Sequence, residues 1–372
     1  MTYRLLQRSS ILAVGMGVLI CASWGQENTS AKHTRDLLAQ GADLATSGRL
    51  AEAELPLVQA ATQAPGDAAV LSELAKVEGR LGKKARAVEL FRQVVTIEDS
   101  SADAHLDLGL ALADNGQAEE AVLEVSKSLN LDHTQAKSFL IRGQILSDLK
   151  RTKEAAADFS MTTRLNPQLA EAWFYWATME FQQEDFAKAS ELSEHVVALQ
   201  PENIEALILL GRSLMGESRA AAGCDAFRRV LAIDPDNSEA IYSLSQALRH
   251  SDPPESQRLV KRFQSLHEEK VRNDQVIETI KGLGNQSIDA MQRQDWKAAA
   301  NFLQEAITLC GHCPLLGDLH KDLGLNACHS GDLDTGQREL REALRLKPAD
   351  SDIVIALQWI EQQRANSGTL AH

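Results

Sequence analysis

Three things are scarce in this sequence: long apolar runs, basic blocks and cysteine. An apolar run from Ile11 to Ala22 is too short to span a bilayer. It follows Arg4 and Arg8 and precedes the small residues Ser23 and Gly25, the order of a secretory leader, so residues 1–25 are expected to be removed by cleavage after Gly25. The rival is a lipid anchor on Cys21, but the large Ile20 stands before it where a small residue is required. The expectation is an exported chain, periplasmic or secreted, with no transmembrane segment once the leader is gone. The formal charge is −14, and losing the leader's two arginines takes it to about −16. An acidic chain without a basic block is a poor binder of nucleic acid or anionic membranes. Five cysteines are present, and Cys224, Cys310, Cys313 and Cys328 remain after cleavage. An oxidising compartment would let them pair.

What the chain has in abundance is itself. Ala53, Ala87, Ala121, Ala155 and Ala189 recur at a constant interval of 34 residues, and the next step lands on Gly223. Gly41, Ala75, Gly109, Gly143, Ala177, Gly211 and Ser245 keep the interval with small residues only. Ile97, Leu131, Leu165, Leu199 and Ile233 keep it with large apolar ones, and Pro167, Pro201 and Pro235 make a fourth series. Small residues at a fixed place on successive helices let them approach closely, and the large ones are expected to fill the groove between neighbouring pairs. Proline just past a helix end stops it. Within "AEAWFYWATMEFQQEDFAKASELSEHVVALQPEN", two stretches of apolar 3–4 spacing flank a polar turn, so each unit reads as a helix hairpin.

Period and residues together resemble the tetratricopeptide repeat: Trp173, Ala177, Ala189 and Pro201 occupy that family's aromatic, small, small and proline positions, as do Gly109, Ala121, Phe159 and Pro167 elsewhere. The resemblance implies an all-α fold, a right-handed α-α superhelix of about nine hairpins with a C-terminal capping helix. After a short linker at 26–33, about seven units are expected over 34–250, the last irregular. Residues 251–279, which hold Pro253 and Pro254 and about eight extra residues, read as a lengthened helix and a joint. Two further units and the cap fill 280–365, with Gly324, Gly331, Leu333, Ala343, Leu346 and Pro348 in place, and 366–372 is expected to be a disordered tail.

The stretch "TLCGHCPLL" raises the possibility of an envelope thiol-disulfide oxidoreductase acting through Cys310 and Cys313. A reactive first thiol belongs at a helix N-terminus, where the macrodipole favours thiolate. Cys310 instead follows the helical stretch "NFLQEAITL", and no βαβ pattern surrounds it. Zinc would need Cys328 or the histidines 320 and 329 beside the pair, and a helix rising about 1.5 Å per residue from Pro314 carries Cys328 too far away. A disulfide closing the turn between two units is preferred to two free thiols, and Cys224 reads as a small packed hydrophobe. "GLGN" at Gly282 lacks a strand before it and a third glycine. No catalytic, metal or cofactor set emerges, and the chain is expected not to be an enzyme.

Binding suits the shape better. The resemblance places the first helices of the units on a concave groove, with Leu106, Leu110, Leu140, Gln144, Phe174, Thr178, Phe181, Ile208, Arg212, Tyr242, Gln246 and Arg249 facing inward. Aromatics mixed with arginine are the composition of interface hot spots. The alternative is that Phe174, Phe181 and Tyr242 pack against neighbouring hairpins. Members of the family that grip a C-terminal carboxylate use Lys and Asn on inner positions; Gln144, Thr178, Arg212 and Gln246 stand on one such row here, so that activity does not carry over. The expected partner is a protein or peptide held in the groove by a non-catalytic scaffold, in the cell envelope.

Overall fold

The computed structural model describes residues 31–369, which contain helices and no strand. The expected leader with Cys21, and the last three residues of the expected tail, lie outside them. The chain divides into two units between Ser251 and Asp252, and no described helix is long and apolar enough to cross a membrane.

The first unit is a run of helix hairpins: α1 (31–46), α2 (Leu50–Gln63), α3 (Ala68–Arg80), α4 (Lys84–Ile97), α5 (Ala102–Asp114), α6 (Ala118–Leu131), α7 (Ala136–Asp148), α8 (Thr152–Leu165), α9 (Ala170–Gln182), α10 (Phe186–Leu199), α11 (Ile204–Gly216), α12 (Ala220–Ile233) and α13 (Ser238–Ala247). Each helix packs on the next in sequence, which makes the stack a solenoid. The starts and stops recur at the same interval. Asp67, Ser101, Asn203 and Asn237 cap first helices by accepting hydrogen bonds from backbone N–H groups of the first turn. The turn inside each hairpin needs one left-handed residue, with φ of +78°, +81° and +81° at Gly48, Gly82 and Gly116. Lys150, Glu184 and Ser218 take the same place at φ 61°, 63° and 62°. Pro167, Pro201 and Pro235 each lie two residues past a helix end.

Packing inside a hairpin sets a small residue against a large one. A Cβ added to Gly109 would lie 2.5 Å from Val125, to Gly143 2.7 Å from Phe159, and to Gly211 2.6 Å from Phe227. The alanine series on the second helices is buried, at 0% exposure for Ala53, Ala121, Ala155 and Ala189 and 3% for Ala87. It gives way to Gly223, where the Gly211 carbonyl would stand 3.0 Å from a Cβ. The large series departs from its expected role. Ile97, Leu131, Leu165 and Ile233, each the final residue of its helix, are 39–46% exposed, and only Leu199 is half-buried against the core. The filling is done by Leu57, Phe91, Val125, Phe159 and Phe227, another set on the same interval, each no more than 5% exposed.

Several buried charged groups are paired. Arg142 donates from Nε and Nη2 to both carboxylate oxygens of Asp158, at 2.7 Å each, a bidentate geometry that offsets the desolvation of the buried acid. His105 Nδ1 lies 2.7 Å from Glu124 Oε2, and Lys127 donates to the other oxygen at 2.8 Å.

The second unit holds α14 (Pro253–Gln292), α15 (Trp296–Cys310), α16 (Leu316–Ser330), α17 (Leu333–Leu346) and α18 (Ser351–Thr369). Asp252 caps α14 by accepting from the Glu255 N–H, with Pro253 and Pro254 in the first turn, where their missing N–H groups cost nothing. The helix then runs unbroken for 40 residues, and none between Ser256 and Ile280 is buried. From Ile280 onward it becomes the first helix of a hairpin with α15. The α16–α17 hairpin repeats the first unit's device, with Gly324 against Leu340, and α18 packs on α17 through Ile353 and Ile360, both fully buried. It is the capping helix of the stack.

Candidate functional site

On the first unit, two neighbouring clefts open over the first helices of successive hairpins. One of about 440 Å³ lies across α1, α3 and α5, with Ala42, Glu73, Lys76, Arg80, Asp107 and Leu110 on its walls. The other, of about 690 Å³, runs on towards α7, past Ser72, Asp103, Gln135 and Lys137. They share Glu73, Lys76 and Asp107. Helical spacing explains the lining: Glu73, Lys76 and Arg80 follow at i, i+3 and i+7 on α3, as Asp107, Leu110 and Asp114 do on α5.

The charges at this junction are unequally occupied. Lys76 donates to Glu73 at 2.9 Å; burial pulls its ammonium down, yet the Glu73 bond and the charges of Glu73 and Asp107 hold it above its usual range. Arg80 donates to the carbonyl of Ala45 at 3.0 Å, and Gln135 to Asp103 at 3.0 Å. Asp107, half-buried, is left without a hydrogen bond or ion pair among the described residues. Burial pushes its carboxyl up, against the pull of Lys76 and Lys137. An under-partnered acid between two clefts is an open acceptor for a donor brought by a ligand.

Of the twelve residues expected on the groove, Leu110 lines the first cleft and Leu106 the second. Leu106 and Ile208, at 3% and 9% exposure, are core residues, and Leu140 is half-buried against the core. Phe174 and Phe181 are half-buried in the packing of α9, with Phe181 edge-on to Phe186 at 5.4 Å. The Thr178 hydroxyl donates to the Phe174 carbonyl at 2.9 Å, and Gln144 donates to Glu171 at 3.3 Å. Arg212 lies over the Phe181 ring at 4.8 Å and reaches Glu239 at 3.5 Å. Tyr242, 51% exposed, stands on the surface with Gln246 and Arg249. Glu73, Lys76 and Asp107 belong to no motif of the sequence. The available signal was two acids 34 residues apart on successive first helices.

Cys310 is the last residue of α15, 7% exposed and disulfide-bonded to Cys313. His320 Nδ1 is engaged by Glu339 at 2.8 Å, and His329 stacks on Trp296 with ring centroids 5.3 Å apart. Among the described residues, no three His, Cys, Asp or Glu side chains converge as a metal site would need.

A family model described as a tetratricopeptide repeat matches residues 72–129 and 176–238. No curated protein sequence matches the chain. Among solved structures, that of pilF from Pseudomonas aeruginosa is similar with a TM-score of 0.49 and 17% identity, over 57% of this chain and 96% of that one. A tetratricopeptide repeat protein of Parabacteroides merdae gives 0.48 and 13% identity, over 79% and 99%. YrrB, described as having an unusual peptide-binding site, gives 0.46 and 18%, over 50% and 96%. One interval governs the helices, caps and turns of the first unit, and the family model matches twice within it: the chain carries tetratricopeptide repeats over residues 72–129 and 176–238.

Proposed function

We propose that the chain is a non-catalytic scaffold that holds a peptide or protein segment along the first helices of its first unit, outside the cytoplasm. One observation carries this: the two clefts from α1 to α7 meet at Asp107, an acid without a hydrogen bond or close ion pair among the described residues, between apolar and charged walls. Extended surfaces built by stacked hairpins suit an elongated ligand that places side chains in successive clefts. An exported location is supported by the leader expected at 1–25 and by the Cys310–Cys313 bond. Thiol exchange has no such support, since Cys310 is buried at the helix end where the macrodipole opposes thiolate.

The test is photocrosslinking in the native cell from Ser72, in the second cleft, and from Leu55, 65% exposed on α2. A partner captured from Ser72, not from Leu55, and lost in Asp107→Asn supports the reading. Equal capture from both positions refutes it.

A further inference from the structure

The second unit carries its own inner row, of different chemistry. Ile288 follows the buried Ser287, and Leu325 follows Gly324; Trp359 comes one interval of 34 after Leu325. On the first unit the residues in the same relation to the packed small residue include Lys76, Gln144, Thr178 and Arg212. A row that is mostly polar in the first unit, Ala42 and Leu110 apart, is apolar here. Ile288 is 50% exposed and Trp359 43%, and Ile355, one turn before Trp359, is 62% exposed. Leu325, Cys328, Ile355 and Trp359, with Asp352 and His329 at the edge, line a cleft of about 350 Å³ between α16 and α18. An isoleucine and a tryptophan held in water side by side on one cleft mark an interaction surface.

The charge around the cleft says which. Lys321 is held between Asp350 at 3.0 Å and Asp352 at 3.3 Å, and Lys347 donates to Asp318. The nearby cations are therefore already used. Asp322 shares the face of Asp318, Leu325 and His329, at helical spacings of four, three and seven residues. It has no hydrogen bond or ion pair among the described residues, and burial, reinforced by Asp318, pushes its carboxyl up against the pull of Lys321. A second copy approaching through this face would bring a like acidic rim and, among its described residues, no free cation to answer Asp322. A basic, apolar segment meets none of that repulsion.

We propose that the α16–α18 face is a second binding site, for a protein segment that places an apolar side chain in the Leu325–Ile355–Trp359 cleft and a lysine or arginine against Asp322. The two units then grip different features of their partners, the first through a largely polar row and the second through an apolar anchor with an acidic rim.

A displayed library of random peptides panned against the full chain, and in parallel against Ile355→Asp, tests this. The sequences lost in the variant are expected to set Leu, Ile, Phe or Met beside Lys or Arg. A synthetic peptide of that consensus, titrated calorimetrically, should bind at least about tenfold more weakly to Ile355→Asp and about tenfold more weakly to Asp322→Asn. Its binding to Asp107→Asn should be unchanged, which separates this site from the first unit's. Exchanging its basic residues for glutamate should abolish binding. Circular dichroism checks that Ile355→Asp folds, and Trp359→Gln replaces it if it does not. The proposal falls if no selected sequence depends on these residues, if the dependent ones lack a basic residue, or if Asp322→Asn binds normally. It falls equally if sedimentation shows self-association that Ile355→Asp removes, which would make this face a contact between copies.

Discussion

Replacing Gly211 with alanine sets two opposed effects against each other. In a helix, alanine is more favourable than glycine by about 1 kcal/mol, because glycine loses more backbone freedom on folding. Here the added methyl carbon would lie 2.6, 2.9 and 2.8 Å from Cε1, Cδ1 and Cζ of Phe227, where carbon atoms ordinarily rest about 3.5–4.0 Å apart. Phe227 is 1% exposed, a ring enclosed by the hairpin. Overpacking of this kind costs about 1–3 kcal/mol, and three ring atoms in conflict put Gly211→Ala near the upper end. The net expectation is a loss of about 1–2 kcal/mol, read as a lower midpoint in urea unfolding followed by circular dichroism. Phe227→Leu alone leaves a cavity and is also destabilising, but it removes the ring atoms that collide. The double variant should therefore be more stable than the two single losses added together. Gly282→Ala on α14 is the control: nothing lies within 4 Å of its added carbon, so it should gain up to about 1 kcal/mol. If Gly211→Ala gains stability as Gly282→Ala does, the close approach of α11 and α12 is not what holds this hairpin together.

Two further perturbations probe the turns and the acids. Glu184 holds the left-handed turn position at φ 63°, a conformation costing an L residue about 1–2 kcal/mol; glycine removes that cost but gives up about 0.5–1 kcal/mol in the unfolded chain. Glu184→Gly should raise the urea midpoint by an amount equivalent to about 0.5–1 kcal/mol, and a lowered midpoint would contradict the turn assignment. Asp107, with a folded pKa above its ordinary value of 3.8, binds protons more tightly folded than unfolded, so its contribution to stability declines as pH rises through that interval and stays unfavourable at neutral pH. Asp107→Asn should thus stabilise at neutral pH, with the gain vanishing below pH 3.8 in a pH series of urea titrations. Glu124 has the opposite sign: burial raises its carboxyl, but hydrogen bonds from Lys127 and His105 outweigh that and hold it below 4.5. Its stabilisation is present above 4.5 and is lost as pH falls through the folded value.

The hairpins could be read from the sequence because their packing demands the same residue type at the same place. Ala53 through Ala189 meet a neighbouring helix that admits nothing larger, so alanine recurs. Other periodic features keep their geometry while their chemistry drifts. The turn residue is Gly48, Gly82 and Gly116 and then Lys150, Glu184 and Ser218, alike in φ and unlike in side chain. The packing set of Leu57, Phe91, Val125, Phe159 and Phe227 passes through Ser193, which breaks any search for large residues. The series of Ile97 and Leu131 was regular but lay at helix ends, where regularity reflects where the chain exits rather than what fills the core.

The inner row had the least reason to be legible. A residue packed between helices answers to neighbours that recur every 34 positions, but one facing a cleft answers to a ligand that need not repeat. The row accordingly runs Ala42, Lys76, Leu110, Gln144, Thr178, Arg212 and Gln246 through the first unit, with no shared size, charge or polarity. Ile288, Leu325 and Trp359 then share an apolar character over three successive units. A stretch of consistency in a row free to vary implies a common demand at those positions, and packing supplies it only at Leu325, since Ile288 and Trp359 are half exposed or nearly so. That demand has to come from outside the chain, which is why loss of function is expected at Trp359 and Ile355 while substitutions at Gln144 or Gln246 should leave the second unit's binding intact.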